Sequence, residues 1–153
     1  FVVTWGAGTC HMLYPRGTTA GLEMNDLGIV DAFDANSLKF RAYATEFKWN
    51  VGMAVKHTRA IGRIANIETA SASNTFDEDN LITLLNRMIV NANTRIYGNE
   101  VVQTQAEIRL KDKSNVNWSV EEGLGGRPFM RFRGIPFRMC RSPIILNTEA
   151  ALT

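Results

Sequence analysis

The sequence predicts an α+β fold in which long antiparallel strands at both ends of the chain flank a helical lobe. Three observations carry that prediction. Residues 39–55 alternate with a period of two. Leu81, Leu84, Leu85, Met88 and Ile89 recur at helical spacing behind an acidic cap. Residues 129–133 and 136–141 read as paired strands broken by Gly134-Ile135-Pro136.

Taken in order, residues 1–5 and 9–14 are short β-prone runs joined by Gly6-Ala7-Gly8, the pattern of a hairpin, and Pro15-Arg16-Gly17 breaks the second run. Residues 20–28, bounded by glycine, read as a loop or short turn. From 39 to 55, Tyr43, Thr45, Phe47, Trp49, Val51, Met53 and Val55 fall on one face. Ala44, Glu46, Lys48, Asn50, Gly52 and Ala54 fall on the other, as in a half-buried strand. At about 3.3 Å per residue it would run on the order of 55 Å, several times a usual strand, which suits an extended plate better than a small compact domain. Residues 58–67 read as a short helix and 69–74 as a small polar linker. Thr75-Phe76-Asp77-Glu78 matches a capping box, and Asp77, Glu78 and Asp79 suit the positive end of a helix reaching about Asn93. A short strand at 94–97 closes at Gly98. Asn99 is placed to cap a second helix from Glu100 to about Asp112.

The composition bounds the function. The chain has 153 residues, 45% of them hydrophobic and 21% charged, enough to bury a core. Seventeen basic residues against fifteen acidic ones leave a formal charge of +2, without the basic excess of a dedicated nucleic-acid binder. No run of about 18 apolar residues offers a membrane span. Residues 1–5 lack the basic flank and apolar stretch of a signal peptide and read as a strand already under way. Phe1 therefore reads as the start of a fragment, a processed product or the ordered part of something longer. The two cysteines are far apart in sequence and build no disulfide framework, so a reducing compartment is the default.

No catalytic, cofactor or metal site is expected. Cys10, His11, His57 and Cys140 are the soft or borderline ligands present, but zinc sites place ligands in close pairs. Adjacent Cys10 and His11 on a strand point to opposite faces, a buried thiol beside an exposed imidazole. Cys140 has no orienting motif for nucleophilic work and suits packing instead. Gly123-Leu124-Gly125-Gly126-Arg127 lacks the Lys-Ser/Thr and following helix of a phosphate loop and reads as a hairpin turn. The alternative to a structural protein is a nucleic-acid-binding module. Arg127, Arg131, Arg133, Arg138 and Arg141 interleave with Phe129, Phe132 and Phe137, as single-strand binders interleave them. Against it, Arg131 and Arg133 share a strand face opposite Phe132, which is a charged face backing a core face.

Ordered blocks along nearly the whole chain resemble the major capsid proteins of short-tailed double-stranded-DNA phages. They are Val3-Thr4-Trp5-Gly6, Thr9-Cys10-His11, Tyr14-Pro15-Arg16-Gly17, Ala20-Gly21-Leu22, Asp26-Leu27-Gly28, Phe47-Lys48-Trp49 and Arg63-Ile64-Ala65-Asn66-Ile67. Arg109, Lys111-Asp112-Lys113-Ser114-Asn115-Val116, the run from Phe132-Arg133-Gly134 through Ile135-Pro136-Phe137 to Arg138-Met139-Cys140, and Leu146-Asn147-Thr148-Glu149-Ala150 complete the set.

The resemblance implies the Hong Kong 97-type capsid fold, with an elongated peripheral β domain and a helical and sheet axial lobe. The N-terminal arm, extended loop and spine helix of that family are missing from this chain. On that pattern residues 1–74, with the long strand 39–55, belong to the peripheral domain. Residues 75–117 form the axial lobe, and 118–153 return as strands joining the two. The implied role is a non-enzymatic subunit of the virion, assembled in the bacterial host cytoplasm without a cofactor. The implied partners are copies of itself in pentamers and hexamers, cement or scaffold proteins, and packaged DNA through non-specific contact, with no membrane.

Overall fold

The structure is a computed structural model that describes residues 1–69, 74–111, 117–122, 128–141 and 145. The strands are β1 (Val2–Thr4), β2 (Cys10–Leu13), β3 (Leu22–Phe33), β4 (Lys39–Trp49) and β5 (Gly52–Val55), followed by a 3₁₀ turn at Thr58–Ala60 and β6 (Ile61–Gly62). Then come α1 (Glu78–Arg87), β7 (Thr94–Gly98), α2 (Glu100–Leu110), β8 (Trp118–Glu122), β9 (Pro128–Phe132) and β10 (Ile135–Met139). They divide into two compact units, Phe1–Cys10 with Val55–Thr153, and His11–Ala54.

The larger unit is built on a six-stranded sheet in the order β6-β1-β7-β10-β9-β8. Its pairings are antiparallel except β7 with β10, which run parallel and therefore need a crossover, the segment that contains α2. Alternation decides the buried face: Val2, Ile96, Met130, Phe132, Ile135 and Phe137 point inward, against Leu81 and Leu85 of α1 and Ala106 of α2. Trp118 stands edge-on to Phe132 with ring centroids 4.9 Å apart, and is also edge-on to Phe76 and Phe137. The fit is tight. A Cβ on Gly98 would meet Phe137 Cζ at 2.7 Å, and one on Gly62 would meet Met88 Sδ at 2.5 Å.

Buried polar groups in this core are satisfied in a chain. Thr4 Oγ1 donates to Ile89 O at 2.6 Å and lies 3.0 Å from Thr94 Oγ1, which accepts from the Asn91 N–H at 2.9 Å. Thr94→Val keeps the shape but leaves that N–H without its acceptor. A loss of about 1–3 kcal/mol in urea unfolding is expected. At the start of α2, Asn99 Oδ1 accepts from the Val102 N–H at 3.1 Å, the cap expected from the sequence. Asn99→Ala is expected to cost about 1 kcal/mol, read as a lower thermal midpoint.

The smaller unit centres on a two-stranded antiparallel ribbon of β3 and β4. Asp34 closes its tip: Oδ1 accepts from the N–H groups of Asn36 and Leu38, both at 2.8 Å. The register slips between Asp26 and Gly28, where Gly28 takes φ +67° and donates to Asp26 Oδ1 at 3.0 Å. β2 and β5 pair in a separate two-stranded sheet.

Several sequence expectations are corrected here. β1 and β2 do not form a hairpin with each other. The 6–9 turn forms, with Thr9 N–H donating to Gly6 O at 3.1 Å, but β1 enters the sheet between β6 and β7 while β2 takes β5. Residues 20–28 are no loop, because β4 supplies the ladder that holds Leu22–Phe33 extended. The run 39–55 is two strands: pairing with β3 ends at Leu22↔Trp49, and the chain then changes partner from β3 to β2. Its large side chains are not half-buried in this chain, Tyr43 being 85% exposed. Residues 58–67 make only the 3₁₀ turn before pairing with β1. The first long helix ends at Arg87, short of Asn93. Its cap is Asp77, which accepts from the Asp79 N–H at 3.2 Å, rather than Thr75. Both helices pack on the six-stranded sheet. Residues 70–73 of the linker read at 69–74, the end of α2 near Asp112 and the turn at 123–127 lie outside the described residues.

Candidate assembly surfaces

The ribbon presents an apolar ladder interrupted by the Asp26↔Thr45 pair. Directly opposed residues in an antiparallel pair share a face, which places Leu22 with Trp49 and Met24 with Phe47. The bulge then matters. Were the Leu22–Asp26 register to continue unbulged, Ile29 would pair with Ala42 on the opposite face; with the bulge, Ile29 pairs with Tyr43 on the side of Phe47 and Trp49. Tyr43, Met24, Phe47 and Trp49 are 85%, 68%, 65% and 64% exposed. The opposite face is mixed, with Glu23, Lys48, Ala44 and Ala42, and with Val30 and Phe40 toward the tip. Trp49 is held in place by its Nε1–H, which donates to Ala20 O at 2.9 Å.

The six-stranded sheet has a second surface. Both α-helices cover its inner face, and alternation sends Arg95, Tyr97, Phe129, Arg131 and Arg138 to the other. The guanidinium of Arg131 lies 5.1 Å from the centre of the Phe129 ring and that of Arg138 lies 6.0 Å from it. Arg131 also pairs with Glu121 at 2.9 Å across β8 and β9, and the Trp5 indole donates to Tyr97 Oη at 2.9 Å. Aromatic and arginine side chains held rigidly at a half-exposed surface are the residue types enriched where proteins meet.

The residues singled out for possible chemistry do not converge. Cys10 is buried in the larger unit, and His11 belongs to the smaller one. His57 Nδ1 accepts from the Arg59 N–H at 3.2 Å and caps the 3₁₀ turn, and Cys140 is half-buried just beyond β10. Among the described residues no three His, Cys, Asp or Glu side chains are grouped to hold a metal. The Phe1 backbone nitrogen donates to Tyr97 O at 2.8 Å. A cleft of about 420 Å³ lies beside it, lined by Ile64, Ile67, Leu84 and Val102 among others.

The arginine and phenylalanine pattern of the last strands also sorts itself physically. Phe132 and Phe137 are core residues, so of the three phenylalanines only Phe129 remains on the arginine face. Arg133 sits at the β9–β10 turn with φ +49°, followed by Gly134 at +80°, rather than on the face with Arg131. Arg127 is outside the described residues. Sequence reading missed β8, whose alternating Trp118-Ser119-Val120-Glu121 was the available signal. It also missed that Arg95 and Tyr97 join this surface, which depends on β7 lying next to β10.

The model of a protein family described as Major capsid protein GP7 matches residues 1–153. The chain belongs to this capsid protein family. No curated protein sequence matches it significantly. As a major capsid protein it is a viral structural protein of the virion, a shell subunit that assembles with copies of itself. Its work is therefore done by surfaces, and the two described above are those whose residue composition suits contact. No described helix of this capsid chain is long and apolar enough to cross a membrane.

Proposed function

We propose that the chain is a subunit of an icosahedral phage head of the Hong Kong 97 type, gathered into pentamers and hexamers around double-stranded DNA. The observation that carries this reading is the capsid family match from residue 1 to 153, on a mixed α+β chain that keeps two contact-competent faces. The division into a peripheral portion at 1–74, an axial lobe at 75–117 and return strands at 118–153 is part of the proposal. The return strands are the segment in which β10 joins β7. Assembly takes place in the host cytoplasm, with cement or scaffold proteins as further partners and packaged DNA touched without sequence preference. The mechanism is association and not bond-making: many modest contacts multiply in a closed shell, so each can remain weak enough to correct.

Negative-stain electron microscopy of the complete gene product tests it. Closed or partial shells, tubes or capsomer rings are expected. Small uniform particles at high concentration, with viral partners added, would remove the icosahedral reading and leave the family assignment standing.

A further inference from the structure

We infer that the apolar ladder of the ribbon docks on the arginine and aromatic sheet face of a second copy of this chain. The inference rests on the capsid reading for its partner, since the family assembles with copies of itself, and names the surfaces that do so.

Four arguments support it. The first is stability. An isolated two-stranded ribbon is marginal in water, yet β3 and β4 pair from Leu22↔Trp49 to Phe33↔Lys39 with a single bulge. Such a ribbon gains most from a partner laid over its apolar face. The second is selection of the face. A bulge interrupts the ladder at the one place that returns Ile29 to the side of Tyr43, Phe47 and Trp49, which would serve no purpose on a ribbon bathed by water on both sides.

The third is area. The exposed parts of the ladder's large apolar side chains, with Phe33 near the tip, amount to roughly 900 Å², the order of about 800 Å² per partner in a stable interface. The fourth is charge and chemistry. Residues 11–54 carry five acidic and four basic side chains, the rest of the chain ten and thirteen, so the unit bearing the ladder is opposite in sign to the unit bearing the sheet. On the ladder's face Asp26 lies between Leu22 and Ile29, while toward the tip Asp31 pairs with Lys39 at 2.8 Å beside Arg41, and the exposed rings of Tyr43, Phe47 and Trp49 are faces for guanidinium groups. The sheet offers Arg95 and Arg138 beside Tyr97 and Phe129. A contact between two different faces of identical chains is heterologous, the kind that closes into rings of five or six.

The test uses the complete gene product and two readouts. Sedimentation compares wild type with Tyr43→Ser/Phe47→Ser and with Glu23→Ser on the ribbon's opposite face, after circular dichroism shows the sheet unit unchanged. The double variant is expected to raise the concentration needed for association by about 100-fold or more, and Glu23→Ser to leave it near wild type. A photo-crosslinking residue at position 43 is expected to join a second copy within strands β7, β9 or β10. Unchanged association of the double variant, or crosslinks confined to one chain or to a second ribbon, would overturn the docking even if shells form. Ladder-dependent small oligomers without shells would instead uphold the docking and remove the icosahedral reading. A wild type that stays monomeric at high concentration would overturn the docking outright.

Discussion

Gly21→Ala is expected to unseat the base of the ribbon. Gly21 has φ +82°, a conformation that side-chain-bearing residues rarely adopt, and a Cβ there would intrude on the Asn50 carbonyl, which is backbone and cannot swing away. The same residues make the closing contacts of the base: Asn50 N–H donates to Gly21 O at 3.0 Å, and Gly21 N–H donates to Thr18 Oγ1 at 3.0 Å. Strained backbone and overpacking together cost about 3 kcal/mol or more, beyond what a marginal two-stranded ribbon holds in reserve. Hydrogen exchange is the measurement. Amides of β3 and β4 should lose protection while those of β7 and β10 keep theirs. Gly28→Ala is the comparison: Gly28 also has positive φ, at +67°, but a Cβ there meets nothing within 4 Å, so only the smaller backbone cost should appear. Equal protection in wild type and Gly21→Ala would show that the base relaxes around the methyl group.

Phe132→Ala should have the larger effect on the sheet unit. Phe132 is fully buried, it pairs with Trp118 across β8 and β9, and its ring is edge-on to that indole. Removing it forfeits the transfer energy of the ring and leaves a cavity beside Trp118 in the core cluster, a loss of about 3–5 kcal/mol. Domains are held by only about 5–15 kcal/mol in total, so the variant should unfold at markedly lower denaturant and lose near-ultraviolet circular dichroism from Trp118. Phe132→Leu, which fills part of the space, should lose less. A midpoint for Phe132→Ala within error of wild type would mean that this cluster does not hold the sheet together.

Much of the local structure was legible because it is decided locally. The stripe of Leu81, Leu85 and Met88 is buried as its spacing required, and Asn99 caps α2 as its position required. β7 and the β9–β10 hairpin follow from alternation and turn residues. The ordered motifs agree with the family that the chain belongs to. Where reading failed, the deciding interaction was distant. Thr75 has cap chemistry, but the helix starts two residues later, with Asp77 as its cap, and the Phe76 N–H is taken instead by Gln105 Oε1 of α2 at 2.8 Å. Asn25, Asp26 and Gly28 argue for a loop by propensity, and only the ladder from β4 makes them a strand.

The sequence by itself determined which residues are apolar and in what period, where helices are capped and turns permitted, and that the chain is mixed α and β. Those properties depend on neighbours within a few residues, whose geometry the backbone fixes. Only the tertiary structure decided which strands pair. It placed β1 between β6 and β7, set β10 parallel to β7, and split the run 39–55 between two partners. It alone decided which face of each strand is covered, because the period of two is the same whether the apolar side meets its own core or is left bare for another chain. The side chains from Tyr43 to Trp49 have the pattern of a buried face, and in this chain that face is exposed.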